Sequence, residues 1–184
     1  PDSVTLAKLK ICKNIGINRL SIGVQACQNT LLEYMGRQHS YKQVTKVIDL
    51  INKLGFTNYN VDLIFGIPNQ TILDWQESLE RIITFNPSHI ACYSLEIEAN
   101  SVFGAWQKSG LLKPIDEKLD RNMYHLAQKL LKQNGYRQYE IANFAKPGFV
   151  CQHNRDFWKY KPYVGLGAGA HSFFNNKRCC NVKN

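Results

Sequence analysis

Apolar residues recur at two spacings along the first hundred positions, one typical of helices and one of strands. Helical spacing occupies three segments, 3–15, 41–54 and 72–85. Leu6, Leu9, Cys12 and Ile15 form one apolar face of the first, and Thr71 suits the N-cap of the third. Short β-branched apolar runs occupy three others, 19–25, 59–65 and 89–97. Strands that are apolar along nearly their whole length are typical of parallel sheets covered by helices. The pattern therefore predicts a βαβ series, which forms either a barrel or a doubly wound sheet.

The pattern changes after this series. Helical spacing runs from Asp116, which suits an N-cap, through Leu131, and residues 136–141 have the composition of another strand. We therefore expect a parallel α/β part over residues 1–100 and a separate α+β segment over residues 101–184.

Composition limits the class of protein. The 184 residues are 44% hydrophobic and 20% charged, which suits a globular chain with a substantial core and argues against disorder. No apolar run reaches the roughly 18 residues that a membrane span needs. The opening residues PDSVTLAKLK lack the apolar region of a signal peptide. The net charge of +9 is scattered along the chain, so we expect a solvated surface and no nucleic-acid partner.

The cysteines favour a reduced protein. They lie at positions 12, 27, 92, 151, 179 and 180, and none forms a Cys-x-x-Cys pair. Disulfide frameworks belong to small secreted domains, whereas a free cysteine in an apolar segment behaves as a small core residue. We expect a cytoplasmic protein whose own cysteines hold neither a structural zinc nor an iron–sulfur cluster.

Asp62 is the most informative single residue, because it interrupts a strand that is otherwise fit for burial. Alternation along the strand places Asp62 with Asn60 and Ile64, on the face opposite Val61 and Leu63. A buried carboxylate without a partner is strongly unfavourable. Asp62 therefore either contacts a ligand in a cleft or pairs with a neighbouring arginine or with backbone N–H groups.

Two further polar residues follow strand or turn positions. Gln25 ends the run RLSIGVQ, where its amide can bond ribose hydroxyls, a carboxylate or only the nearby backbone. Arg37 follows Gly36, and its guanidinium suits a carboxylate or phosphate, although a surface arginine is the simpler explanation. The glycines of GLGAGAHS at 165–172 lack the spacing of a phosphate-binding loop and fit either a nearby planar ligand or tight packing.

The segment HNRDFW, which begins at His153, combines an imidazole, an amide, a guanidinium and two aromatic rings. These groups suit ligation of a metal or stacking on a flat cofactor. Alternatively, His153 and Asn154 hydrogen-bond a loop while Trp158 anchors a core.

These stretches, taken together, resemble one known family. The matching stretches are NRLSIGVQ, the GR at 36–37, VDLIFGIPNQT, HIACYSLEIE, YEIANFAKPG, HNRDFW and GLGAGAHS. In this order and with these gaps they are similar to the HemW branch of the oxygen-independent coproporphyrinogen III oxidase-like family, within the radical S-adenosylmethionine (radical SAM) superfamily. The resemblance covers nearly the whole chain.

The resemblance implies a fold and a set of site residues. It implies the C-terminal half of a TIM-like (β/α) radical SAM barrel over residues 1–100 and a family-specific α+β extension over residues 101–184. It also implies that Gln25, Arg37 and Asp62 contact S-adenosylmethionine, and that the family uses a [4Fe–4S] cluster.

Some family features are absent or altered in this sequence. The Cys-x3-Cys-x2-Cys that holds the cluster does not occur, nor does the Gly-Gly-Gly-Thr-Pro segment that contacts the methionine part of S-adenosylmethionine. Phe157 replaces the tyrosine of the His-Asn-x-x-Tyr-Trp signature, which keeps the ring and removes a hydroxyl. We therefore expect a fragment of a longer parent, truncated at its end, or the product of a degenerate gene. The fragment alone is expected to be inactive.

Two functions of different class follow from the resemblance. The first is a heme chaperone that binds heme, with His153 as a candidate ligand, and delivers it to respiratory heme enzymes. The second is an oxidase of porphyrin biosynthesis that decarboxylates coproporphyrinogen III propionates through a 5′-deoxyadenosyl radical. HNRDFW and GAGAHS favour the chaperone. A TIM-like sugar or phosphate enzyme is a third class and requires a different set of ligands.

Overall fold

Three parallel strands, paired in the order of the sequence, form the centre of the fold. The computed structural model describes residues 1–113 and 115–183. Within them β1 (Leu20–Gln25) pairs with β2 (Tyr59–Phe65), which pairs with β3 (His89–Ser94). Sequential parallel strands joined through helices are the arrangement of a (β/α) barrel segment. The structure thus confirms the predicted α/β, partial TIM-like fold.

Helices connect and follow these strands. The described residues form α1 (Leu6–Asn14), α2 (Asn29–Tyr34), α3 (Tyr41–Lys53), α4 (Ile72–Thr84), α5 (Val102–Lys108), α6 (Glu117–Gln133) and α7 (Gln152–Trp158). Thr71 is the N-cap of α4, as predicted, because its side chain accepts from the backbone N–H of Asp74. Asp116 caps α6 in the same way, also as predicted. None of the described helices has the length and apolarity needed to cross a membrane.

The core lies between the sheet and the helices. Its strand residues include the alternating positions Ile22, Val24, Val61, Leu63, Ile90 and Cys92. Apolar side chains of α3, α4 and α6 pack on this face, with Trp75 and Met123 fully buried. Because side chains alternate across a strand, the polar residues of β1 and β2 are displayed on the opposite face.

Two short strands extend the sheet with reversed direction. β5 (Asn143–Ala145) runs antiparallel to β3, and β4 (Arg137–Gln138) runs antiparallel to β5. The predicted continuous strand over 136–141 is therefore wrong. The chain reverses after Gln138, where the backbone N–H of Tyr139 donates to the carbonyl of Asn143 and pairs the two arms of a hairpin.

The bounds of other predicted elements also differ from the structure. The strand predicted over 89–97 ends at Ser94. The first helix begins at Leu6, because Thr5 is its N-cap and accepts from the backbone N–H of Lys8. Of its predicted buried face only Leu9 is buried, and Ile15, which follows the helix as its C-cap, is 69% exposed.

The chain divides into two compact units, Pro1–Phe149 and Val150–Asn184. The second unit contains α7 and a hairpin of β6 (His171–Phe174) and β7 (Lys177–Cys180). The predicted boundary after residue 100 marks the end of the strand–helix series and stays a prediction.

Candidate functional site

Asp62 lies on the face of β2 that is turned away from the helices. Its neighbours on either side, Val61 and Leu63, are fully buried in the core, whereas Asp62 is partly exposed. Ser21 Oγ donates to Asp62 Oδ2 at 3.1 Å, and Asn60 Nδ2 donates to Oδ1 at 2.7 Å. The predicted face is confirmed. The hydrogen bonds to the carboxylate come from a hydroxyl and an amide, and its remaining lone pairs stay available to a ligand.

Gln25 ends β1 beside a bulge and faces the same cleft. Its backbone φ is 71°, in the left-handed region that a residue other than glycine rarely adopts. The pairing register with β2 shifts between Gly23 and Gln25, as expected of a β-bulge that redirects a side chain. Gln25 and Asp62, together with Ser21 and Tyr93, line a cleft of about 500 Å³ at the carboxyl ends of the strands. The structure thus brings both side chains together, as predicted.

Arg37 lines an adjoining cleft of about 520 Å³. Helix α2 ends at Tyr34 with Met35 as its C-cap, and Gly36 follows with a φ of 69°, which suits a residue without a side chain. The Arg37 backbone N–H then donates to the carbonyl of Leu32. This turn carries the exposed Arg37 side chain to the rim of the cleft. The helix itself was not predicted, so the position of Arg37 was known only relative to Gly36.

An aromatic wall faces Arg37 in this second cleft. Tyr34 of α2 contacts Phe103 and Trp106 of α5, with ring centroids 5.4 Å and 6.1 Å away. No sequence pattern predicts this wall, because α2 and α5 are short and lie far apart in the sequence. Such a wall offers flat apolar surface to a planar ligand group.

The two clefts join into one groove, because Ile64, Leu95 and Glu96 line both. The charged residues of this groove are four acids and one base: Glu33, Asp62, Glu96, Glu98 and Arg37. The groove is therefore acidic although the whole chain has a net charge of +9. Its charge favours a cationic ligand that also presents one anionic group to the guanidinium.

A buried hydrogen-bond network lies behind Asp62, and the sequence did not predict it. His89 Nδ1 is 2.6 Å from Asn60 Oδ1, and His89 Nε2 is 2.7 Å from the hydroxyl of Tyr139. Burial, and secondarily the charge of Arg19, lowers the pKa of His89 from 6.5 to about 3, so its imidazole is neutral at ordinary pH. The one available signal was the alternation that places Asn60 on the face of Asp62.

His153 belongs to the second compact unit and lies on α7, on an exposed part of the helix. Its ring meets Phe157 edge-on at 4.5 Å, and Phe157 meets Tyr163 in the same way at 4.5 Å. Trp158 is 55% exposed, so it is not the buried anchor that the structural alternative required. The imidazole and its aromatic neighbours thus lie at the surface of this unit.

The glycine-rich stretch supports the tight-packing alternative at one position. A Cβ added to Gly165 would collide with the backbone carbonyl of His171. The Gly165 N–H also donates to Ser172 Oγ at 2.9 Å. Gly165 therefore allows the strand that begins at His171 to pack closely.

The cysteines show no arrangement of metal ligands. All six lie in the described residues and are free. Burial raises the pKa of the Cys27 thiol to about 12, which disfavours the thiolate that a metal requires. The described residues bring no three His, Cys, Asp or Glu side chains together in a metal-binding group. An iron–sulfur cluster therefore does not fit the residues that this structure describes.

Comparisons with known proteins agree with this architecture. The model of the radical SAM superfamily matches residues 1–82. The heme chaperone HemW of Synechocystis is 39% identical over 178 residues, which are 97% of this chain and 43% of that protein. The heme chaperone HemW of Bacillus subtilis is 37% identical over 99% of this chain and 48% of its own length. The chain thus spans less than half the length of these relatives.

A solved structure has the same fold. Coproporphyrinogen III oxidase (HemN) from Escherichia coli, a radical SAM enzyme, superposes with a TM-score of 0.81 over 99% of this chain and 44% of that protein, at 22% identity. At this identity the similarity concerns the fold alone. Residues 1–82 therefore form a radical SAM domain, and nearly the whole chain is similar in sequence to the proteins named heme chaperone HemW.

Proposed function

We propose that this chain is part of a cytoplasmic heme chaperone that binds S-adenosylmethionine, takes up heme and delivers it to respiratory heme enzymes. The name of the relatives supports the chaperone function. The observation on which the proposal depends most is the acidic groove that unites Gln25, Asp62 and Arg37 at the carboxyl ends of the strands. Ligands of barrel proteins bind at this end of the strands.

The groove fits the chemistry of S-adenosylmethionine. This ligand carries a sulfonium and an ammonium, and the groove contains four carboxylates. Its single carboxylate suits the Arg37 guanidinium, which binds such groups through two parallel hydrogen bonds. Its ribose hydroxyls suit the Asp62 carboxylate and the Gln25 amide, and its adenine suits the wall formed by Tyr34, Phe103 and Trp106.

Heme is the proposed cargo, and the surface of α7 is its proposed contact. A neutral imidazole is a good axial ligand for heme iron, and His153 has an exposed imidazole. Phe157 and Trp158, 41% and 55% exposed, offer flat apolar surface to a porphyrin. Arg155, also exposed, suits a propionate.

The iron–sulfur cluster that the superfamily uses has no ligand set among the residues that the structure describes. The residues of this chain bind and orient S-adenosylmethionine.

One pair of assays on the whole natural protein that contains this chain tests the function. Heme titration followed by its Soret band should show binding in a ratio of about one heme per chain, as expected of a single axial site. An anaerobic assay with coproporphyrinogen III should show no decarboxylation. Decarboxylation without stable heme binding would establish the oxidase and reject the chaperone.

The acceptor enzymes are tested by transfer. Heme-loaded protein is mixed with a heme-free respiratory enzyme, and the Soret spectrum of the acceptor is followed after separation. The proposal expects heme to appear in the acceptor faster than from free heme at the same concentration. Equal rates would contradict delivery.

A further inference from the structure

We propose that Asn60 and His89 are positioning residues that fix the orientation of the Asp62 carboxylate in the groove. The inference rests on the proposed S-adenosylmethionine site, since both residues act on S-adenosylmethionine through Asp62. Neither belongs to the lining of the joined clefts, and both are buried, with exposed fractions of 4% and 1%.

Asn60 has an amide whose orientation is determined by its neighbours. Its Nδ2 donates to Ser21 Oγ and to Asp62 Oδ1, both at 2.7 Å. The two amide hydrogens are thereby used, and Ser21 in turn gives its hydroxyl hydrogen to Asp62 Oδ2. Both carboxylate oxygens are therefore held, from the side of the sheet, by one connected set of donors.

The carbonyl of the same amide must then face His89. Because Asn60 Oδ1 can only accept, the hydrogen of the neutral imidazole lies on His89 Nδ1. Nε2 is left as an acceptor for the hydroxyl of Tyr139, 2.7 Å away. Each hydrogen bond thus has one direction of donation. The hydrogen-bond network runs from Tyr139 through His89 and Asn60 to Asp62.

The fold makes this arrangement rigid. Asn60 and His89 are paired residues of the adjacent parallel strands β2 and β3, so the backbone ladder fixes the distance between them. The ring of Tyr139 meets that of His89 edge-on, with centroids 5.6 Å apart. A carboxylate held in this way is preorganised for its ligand, because little rotational freedom remains to be lost on binding.

A double-mutant cycle tests the role of Asn60 on the whole natural protein, with the dissociation constant of labelled S-adenosylmethionine measured by equilibrium dialysis. We expect Asn60→Leu to weaken binding about tenfold, the effect of one lost hydrogen-bond network. In the Asp62→Ala background the same substitution should have no further effect, because the carboxylate that Asn60 positions is gone. An equal loss in both backgrounds would show a merely structural role and overturn the proposal.

His89 is tested by rescue. His89→Leu removes both nitrogens and should weaken binding, whereas His89→Asn, whose Nδ2 replaces the donor at Nδ1, should restore most of the affinity. If both variants bind equally, positioning by His89 is rejected. If either variant fails to fold, as judged by circular dichroism, Tyr139→Phe is used, because it retains the ring and removes only the hydroxyl. An unchanged affinity of Tyr139→Phe would exclude His89 from the hydrogen-bond network that positions Asp62.

The outcomes for Asp62 separate this inference from the proposed site. If Asp62→Ala leaves the affinity unchanged, the S-adenosylmethionine site itself is wrong. If Asp62→Ala weakens binding but Asn60→Leu does not, the site stands and only the positioning role fails. The matched control is Asp49→Ala on the exposed surface of α3, which should bind like the unmodified protein.

Discussion

Gly23 leaves free the space into which the side chain of Gln25 folds. A Cβ added to Gly23 would lie 2.7 Å from Gln25 Nε2, closer than any ordinary van der Waals contact. The two residues flank the register shift between β1 and β2, and Gln25 has a left-handed backbone conformation. The bulge and the glycine thus together determine where the Gln25 amide lies in the groove.

Gly23→Ala should therefore weaken S-adenosylmethionine binding without unfolding the protein. The new methyl group meets the far end of a flexible side chain, so Gln25 moves aside and the backbone stays in place. We expect a loss of affinity of about three- to tenfold, in the range of one displaced hydrogen-bonding group. Equilibrium dialysis measures the affinity, and thermal unfolding measures the stability.

The comparison with Gln25→Ala isolates the cause. In that background Gly23→Ala should change the affinity no further, because the displaced amide is already absent. A similar additional loss in the double variant would mean that Gly23 acts through the sheet and not through Gln25.

Alternation along single strands was enough to predict one part of the site. The run YNVDLIF gave Asp62 its correct face, since a parallel strand covered by helices buries every second residue. Thr71 and Asp116 were correctly assigned as N-caps because side chains of this kind bond the free N–H groups of a first turn. Each of these predictions depends only on residues close together in sequence.

The missed features depend on residues far apart in sequence. β5 has three residues and forms because it pairs with β3, about 50 positions earlier. The contact between Asn60 and His89 depends on the register of β2 and β3, which no local pattern determines. Helix α2 has six residues and its N-cap Gln28 makes no side-chain capping bond, so it lacks the usual start signal.

The buried imidazole of His89 should make folding stability depend on pH. The unfolded chain binds a proton at this residue below its ordinary pKa of 6.5, whereas the folded residue stays neutral down to about 3. Between these values the unfolded state binds more protons, so the free energy of unfolding falls as the pH falls. The slope from this residue is at most about 1.4 kcal/mol per pH unit.

Urea unfolding at several pH values between about 4 and 6 measures this contribution, since this window lies between the two pKa values of His89. His89→Asn removes the titrating group and should flatten the profile relative to the unmodified protein. His125→Asn, at an exposed histidine of α6, is the matched control for the exchange of a histidine for an asparagine. Parallel profiles for the unmodified protein and the His89 variant would contradict a buried neutral imidazole.

The 184-residue chain should bind no iron–sulfur cluster by itself. The described residues contain no grouping of three metal ligands, and Cys179 and Cys180 are adjacent, which is poor geometry for one cluster. Anaerobic reconstitution with iron and sulfide tests this. Stoichiometric iron and sulfide with a charge-transfer band near about 400 nm, as thiolate-bound clusters show, would refute the prediction.

Heme binding should depend on His153 if the proposed contact on α7 is correct. His153 is exposed and its ring touches Phe157 at the surface, so its loss removes little packing. In the whole natural protein, His153→Ala should therefore keep the fold, weaken heme binding at least about tenfold through loss of an axial ligand, and shift the Soret band. Heme titration and circular dichroism provide the measurements.

His171 provides the matched comparison, because it is also exposed and belongs to the same compact unit. His171→Ala should bind heme with the affinity and the Soret band of the unmodified protein. If His171→Ala instead loses the heme and His153→Ala retains it with an unchanged spectrum, the ligand is on β6 and the role of His153 is structural. Retention by both variants would exclude a histidine of this unit as the axial ligand, since the described residues 150–183 contain no third histidine.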